Sequence, residues 1–418
     1  MEDKATHSYQ FIGPFTQLLP MSGLPEKGPI RDEQLAVEKE AGLLLKDGKV
    51  FGCGPYSEIG LLAEARNANH HKLNGNVVGL PGFIDAHTHS CFAGSRARDY
   101  ALRNSGSSYL EIAQAGGGIW DTVTQTRAAS FSELEELLIQ RCKRFLSQGI
   151  TTLEVKSGYG LSVNEELKML RVIQSAGKKV SQDLIPTCLA AHMLPKDFNG
   201  DATTYLQMLA AELFPLLKSE ELSNRIDAFI ETSAFSPEEI GPYFKAAQNM
   251  GFDLTVHADQ FSTGGSKAAI LWNAKSADHL EASGEIEIRA LAQSNVVATA
   301  LPGASLGLGC AFTPARALLD AGACLAIASD FNPGSAPMGD LLTQAAILGT
   351  MEKLSNAEVL AGITLRAATA LGLEDRGTLE VGKTADVLVF STSNYQEILY
   401  QQGHLKPSMV WKNGLRVL

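Results

Sequence analysis

The 418-residue chain contains no run of 18 or more apolar residues, which excludes a transmembrane helix. Basic residues are the minority: 35 Lys and Arg stand against 46 Asp and Glu, a net charge of −11. No electrostatic footprint for nucleic acid or an anionic membrane is therefore present. Cysteine is sparse and unpatterned. Cys53, Cys91, Cys142, Cys188, Cys310 and Cys324 include no Cys-x-x-Cys pair. This speaks against a disulfide framework or a thiolate zinc site and for a reducing cytoplasm. The opening Met-Glu-Asp-Lys-Ala-Thr-His lacks the basic-then-apolar order of a signal peptide, and Met1–Ser8 reads as a mobile tail. No internal repeat and no low-complexity segment is found. What is present is ordinary for a globular protein: 45% apolar and 19% charged residues.

The two ends resemble each other in kind. Asp47-Gly48 and Asn413-Gly414 each sit between apolar runs, the signal of a type I′ hairpin. A further strand is expected within Lys383–Phe390. Neither end has enough strands for its own sheet, so a small β domain built from both termini is expected. The middle alternates short apolar runs with amphipathic stretches such as Phe131–Gln148, Val163–Ala176 and Pro237–Met250. Eight runs recur: Gly82–His89, Ile150–Lys156, Asp183–His192, Arg225–Glu231, Phe252–His257, Lys275–His279, Asn295–Leu301 and Cys324–Asp330. Alternating buried strands and helices predict an α/β fold, a closed (β/α)₈ TIM-like barrel. The competitor is a doubly wound open sheet. No G-x-G-x-x-G turn follows the first strand, which weakens its dinucleotide-binding version. The expected division is a composite β-sandwich of 1–80 and 372–418 around a barrel of 81–371.

The strongest local feature is Pro81-Gly82-Phe83-Ile84-Asp85-Ala86-His87-Thr88-His89. Strand alternation would send His87 and His89 the same way, able to chelate one metal ion. Alone, His-x-His is a weak signal. Five of the other runs, however, end at or beside His192, Glu231, His257, His279 and Asp330. In a barrel the strand C-termini meet at one mouth, where active sites lie. Imidazoles joined by a carboxylate match zinc or iron, not the all-oxygen sets of magnesium or calcium.

Taken together, these residues resemble the amidohydrolase superfamily: His-x-His after strand one, His after strands five and six, Asp after strand eight. Several stretches are more narrowly similar to its imidazolonepropionase branch. They are Pro81–Arg96, Ser108–Thr126, Glu154–Leu161 (EVKSGYGL), Ala190–His192, His257–Gln260, Ser276–Leu280 and Ser329–Pro337 (SDFNPGSAP). The resemblance implies a hydrolase that opens the cyclic amide of 4-imidazolone-5-propanoate to N-formimidoyl-L-glutamate, a step of histidine degradation. It implies one Zn²⁺ or Fe³⁺ per subunit, held by His87, His89, His257 and Asp330. His279 and Asp330 would accept the water proton. Arg96, Tyr159, His192, Gln260, Asn332, Gly334 and Ser335 would hold the substrate, with Tyr109 near its propionate. A homodimer is the implied assembly. Arg96 supplies a bidentate fork suited to a carboxylate.

Gln260 departs from a common pattern, since many relatives carry Glu there. An amide donates and accepts hydrogen bonds but cannot shuttle a proton. Gln260 therefore counts against the main rival, a metal-dependent deaminase of amino-heterocycles. Lys156 falls after strand two and reads as structural, not as a metal-bridging carbamylated lysine. Glu231 is expected to orient a histidine. Asp259 and Asp278 are expected on the opposite face from their neighbouring histidines. A scaffold without catalysis, or a metal-storage or sensor protein, would differ by binding without turnover.

Overall fold

The computed structural model describes residues 8–107, 111 and 116–418. The N-terminal segment supplies β1 (Tyr9–Leu18), β2 (Glu38–Lys46), β3 (Lys49–Pro55), β4 (Asn69–Lys72) and β5 (Val78–Pro81). The barrel strands follow: β6 (Phe83–Asp85), β7 (Ile150–Lys156), β8 (Asp183–Ala191), β9 (Arg225–Ile230), β10 (Asp253–Ala258), β11 (Ser276–His279), β12 (Val297–Ala300) and β13 (Leu325–Ile327). The chain returns to the first sheet with β14 (Val387–Phe390), β15 (Met409–Lys412) and β16 (Leu415–Arg416).

β6 to β13 pair in sequence order into one eight-stranded sheet, every neighbouring pair parallel. Helices such as Phe131–Ser147, Val163–Gly177 and Pro237–Asn249 make the crossovers. Their amphipathic faces explain the burial. Leu134, Leu138, Cys142 and Phe145 of the first lie on one side and are fully buried. Ser130 with Glu133, and Ser236 with Glu239, close capping boxes at two helix starts. The ends of the sheet meet just past β6 and β13. A parallel bridge joins Thr88 to Phe331, and the Ser329 amide donates to Asp85 Oδ1 at 2.9 Å. The architecture is a TIM-like barrel.

The second sheet mixes both ends of the chain in the order β16-β15-β14-β5-β1-β2-β3, with β4 beside β1. Asp47-Gly48 and Asn413-Gly414 close its hairpins with positive φ at both residues, as type I′ turns require. β14 shows how the sheet serves two cores. Val387 and Val389 join Ile12, Phe15, Leu43 and Trp411 in one apolar cluster, whereas Leu388 and Phe390 face the barrel's. Among the described residues no helix is long and apolar enough to cross a membrane.

Candidate active site

Because the barrel strands are parallel, their C-terminal ends share one mouth. A cavity of about 680 Å³ opens there. It is lined by His89, Arg96, Tyr159, His192, His257, Gln260, His279, Asp330, Asn332, Gly334 and Ser335. His87 lies beside it, fully buried. Tyr109 lies outside the described residues.

His87 and His89 do not lie on a strand, as alternation had suggested: β6 stops at Asp85. Their segment is instead held extended by its neighbours. The Asp330 amide donates to the His87 carbonyl, the His89 amide to Phe331, and the Lys156 amide to Thr88. Four side-chain atoms converge. His89 Nε2 is 3.2 Å from His257 Nε2 and 3.4 Å from Asp330 Oδ1, which is 3.5 Å from His87 Nε2. Ligands at roughly 2.0–2.2 Å from a tetrahedral ion stand about 3.4 Å apart. Among the described residues His87 Nε2 and Asp330 Oδ1 are buried without hydrogen-bond partners, and such orphaned atoms need an explanation. The set fits a zinc- or iron-type ion.

His87, His257 and His192 are pushed toward the neutral form, the one that ligates metals. Burial, reinforced by Lys156 and the adjoining histidines, holds His87 well below the usual range. Burial pushes His257 down to about 4 against the opposing pull of Asp227. Burial and the neighbouring His89 and His257 take His192 to about 3. Asp330 moves the other way for a carboxylate in such a place. Burial favours its neutral form, but His89, His279 and His257 outweigh this and lower it.

The remaining ring nitrogens of two of these histidines meet carboxylates that were not singled out as orienting groups from the sequence. Asp278 Oδ2 is 2.7 Å from His87 Nδ1, and Asp227 Oδ2 is 3.0 Å from His257 Nδ1. Asp278 thus faces inward, contrary to expectation. In the parallel register it is His257 that sits opposite Asp278, while His279 sits opposite Ala258. His279 reaches the cavity because its φ is +89°, which breaks the strand alternation. Glu231 orients no histidine either. It accepts from the amides of Thr232, Phe261 and Ser262 and from the Ser262 hydroxyl, tying the loop after β9 to the loop carrying Gln260. Asp259 likewise caps its own loop, accepting from Gly264, Ser266 and Ser283.

The cavity walls are built with similar economy. The buried Glu166 carboxylate accepts from the amides of Gly158, Gly160 and Leu161, and so fixes the loop bearing Tyr159. The Gly158 carbonyl lies 2.9 Å from His192 Nδ1, leaving Nε2 for the cavity. Arg96 is held by Asp99 through Nε at 2.8 Å, and Asp99 also accepts from Gly118. A Cβ at Gly334 would stand 2.2 Å from Arg96 Nη1, so any side chain there would displace the guanidinium. Arg103 donates to the Gly334 carbonyl at 3.3 Å and also lines the cavity, a second guanidinium missed in the sequence. Its only cue is its spacing of seven from Arg96 in the helical stretch Ala97–Asn104. The Asn332 amide is spent on its own turn, bonding the Asp330 carbonyl, Ser335 Oγ and the amides of Gly334 and Ser335. On the far side, Glu281 faces His279 Nδ1. Burial would lower His279, but Glu281, Asp330 and Asp278 more than offset that and raise it.

A closed parallel barrel with three histidines and an aspartate at its mouth is the architecture of the amidohydrolases, metal-dependent hydrolases. The amidohydrolase family profile matches residues 112–418. The imidazolonepropionase of Bdellovibrio bacteriovorus is 40% identical over 391 residues, covering 93% of this chain and 91% of the relative. That of Symbiobacterium thermophilum is 39% identical over 407 residues, covering 95% and 94%. The fold is shared with the atrazine chlorohydrolase of Arthrobacter aurescens complexed with zinc (TM-score 0.70, 17% identity, 98% and 95% covered). Within the amidohydrolases, this chain belongs to the imidazolonepropionase family.

Proposed function

We propose that the chain adds water to the cyclic amide of 4-imidazolone-5-propanoate, giving N-formimidoyl-L-glutamate. One observation carries this reading: a single cavity joins the cluster of three histidines and an aspartate to Arg96 and Arg103. The first suits activation of water. The second demands an anionic arm on the substrate, as a propionate provides. His87, His89, His257 and Asp330 would hold the ion, Zn²⁺ or Fe³⁺, which supplies water with a pKa lowered to about 7.

The chain's own groups do the rest. Arg96 and Arg103 bind the carboxylate, and Tyr159, His192 and Ser335 fix the ring between them and the cluster. Gln260 orients the substrate by hydrogen bonding and carries no proton, which opposes deamination. Asn332 acts by shaping the turn that presents Gly334 and Ser335. His279 and Asp330 accept the water proton, and the departing ring nitrogen receives it.

The test is turnover of freshly generated imidazolonepropionate, followed by loss of ultraviolet absorbance, with elemental analysis of the same sample. Turnover abolished by a chelator and in His257→Ala is expected. One bound equivalent of metal without turnover overturns the substrate. The family resemblance supports a homodimer, read by sedimentation, and a cytoplasmic location, read by fractionation. The second apolar core supports treating 1–80 with 372–418 as one unit beside the catalytic 81–371.

A further inference from the structure

Glu281 is a buried carboxylate that the reaction above does not use. It lies two residues past His279, and both side chains are 4% exposed. Glu281 Oε2 stands 3.5 Å from His279 Nδ1, and among the described residues neither atom has a hydrogen-bond partner. Hydrogen bonds that serve catalysis are commonly long until substrate is bound. The other oxygen, Oε1, is anchored by Ser305 Oγ at 3.3 Å. Glu281 does not line the cavity, whereas His279 does.

The backbone is bent to make this contact. His279 and Leu280 are consecutive non-glycine residues at φ +89° and +72°, conformations that persist only where the surroundings impose them. They are pinned on two sides. Thr313 Oγ1 donates to the His279 carbonyl at 2.5 Å, and the Leu280 amide donates to Ala258 at 3.0 Å. The bend turns His279 toward the cavity and folds Glu281 back behind it. Asp227 behind His257 and Asp278 behind His87 repeat this arrangement for the metal-binding rings.

We infer that Glu281 is the positioning residue for His279, holding the imidazole with its proton on Nδ1 and Nε2 bare toward the cavity. The inference rests on the hydrolase reading and deepens it. Asp330 and His279 are both placed to take the water proton. A carboxylate behind the ring makes His279 the acceptor, because it fixes the tautomer that can accept and steadies the imidazolium that forms. As the water oxygen bonds to the ring carbonyl carbon, one water proton passes to His279 Nε2. The carbon–nitrogen bond then breaks and that proton goes to the ring nitrogen. Substrate plus one water gives the opened product with nothing left over.

The experiment compares zinc-loaded wild type with Glu281→Ala, Glu281→Asp and Ser305→Ala. We expect kcat of Glu281→Ala to fall about tenfold to a hundredfold, as is typical when the group orienting an active-site histidine is lost. KM and bound zinc should stay within twofold, and Glu281→Asp should recover part of the loss. A second readout needs no turnover. In ¹⁵N-histidine protein, two-bond proton–nitrogen correlations should show the Nδ1–H tautomer for His279, assigned with His279→Asn, and a mixed tautomer in Glu281→Ala. Unchanged kcat and tautomer overturn the inference, as does a loss of kcat that merely tracks loss of zinc. If Glu281→Ala does not fold, Ser305→Ala, which frees the carboxylate, must show a smaller fall in kcat with the same sign. Wild type that binds zinc without turning over the substrate overturns the hydrolase reading instead, and the tautomer measurement still decides the role of Glu281.

Discussion

Lys156 Nζ lies 2.8 Å from Asp227 Oδ2, the same oxygen that faces His257 Nδ1, and neither side chain reaches solvent. The ammonium also contacts Glu154 at 2.9 Å and stands 3.9 Å from Asp278 Oδ2. One buried cation thus serves the two carboxylates behind His257 and His87. Burial disfavours a charged lysine, yet Asp227, Glu154 and Asp278 outweigh it and raise its pKa. Lys156 is structural in the sense that it neutralises the floor of the site.

Removing that charge leaves the carboxylates buried and uncompensated. Lys156→Met should cost about 3–5 kcal/mol of stability, the usual result of breaking a buried pair from one side. Urea unfolding measures it. Adding Glu154→Gln to Lys156→Met should recover part of the loss, because one fewer charge is stranded. A double variant no better than the single would show that lost packing, not charge, dominates.

Asp278 makes a separate prediction. Its hydrogen bond to His87 Nδ1 fixes which nitrogen is left to ligate. Asp278→Asn should weaken zinc binding by about 10–100-fold, measured by competition with a chromophoric chelator. The turn around Asp330 should be unaffected, so circular dichroism should not change.

The guanidinium pair can be probed through the substrate. Charged hydrogen bonds contribute about 1.5–3 kcal/mol. Arg96→Ala should therefore lower kcat/KM by about tenfold to 150-fold, mostly through KM, with metal content unchanged. Arg96→Lys should not restore it, because a point charge cannot reproduce the fork that Asp99 aims. An equal loss for a substrate analogue without the carboxylate would reject this assignment.

The sequence makes the strands legible because each barrel run is apolar, short and bounded, and all eight appear where the pattern puts them. The polar residues at their ends are equally visible, and the cavity gathers every candidate site residue among those described except the buried His87. What alternation misassigns is the facing of Asp278, since it treats His279 as a regular strand residue, and a single positive φ reverses that inference. Glu231 misleads for a related reason. It ends a strand beside the site, but three amides and a hydroxyl from two loops claim its oxygens. Asp227, two residues inside β9, and Arg103, on a helix, carry no mark in a chain read one position at a time. Their meaning lies in what comes near from elsewhere.

The contact between barrel and terminal sheet rests on another buried cation. Lys412 Nζ is 2.8 Å from Asp386 Oδ2 and 2.7 Å from Asp183 Oδ2 at the start of β8, and Asp183 is also paired with Arg376. Burial would raise the Asp183 carboxyl, but Lys412 and Arg376 outweigh it and hold it below its usual range. A carboxyl depressed in the folded state adds stability that is full above its unfolded pKa, about 3.9, and is lost as pH falls through the folded value. Lys412→Met should cost on the order of 3 kcal/mol at pH 7, chiefly by stranding the buried Asp386. The part of the loss owed to Asp183 should shrink as pH falls from about 4 downward, because protonation of Asp183 removes from wild type the pairing with Lys412 that the variant already lacks. Urea midpoints of the two proteins should draw together there. A gap that stays constant over that range would assign the loss to packing of the lysine stem.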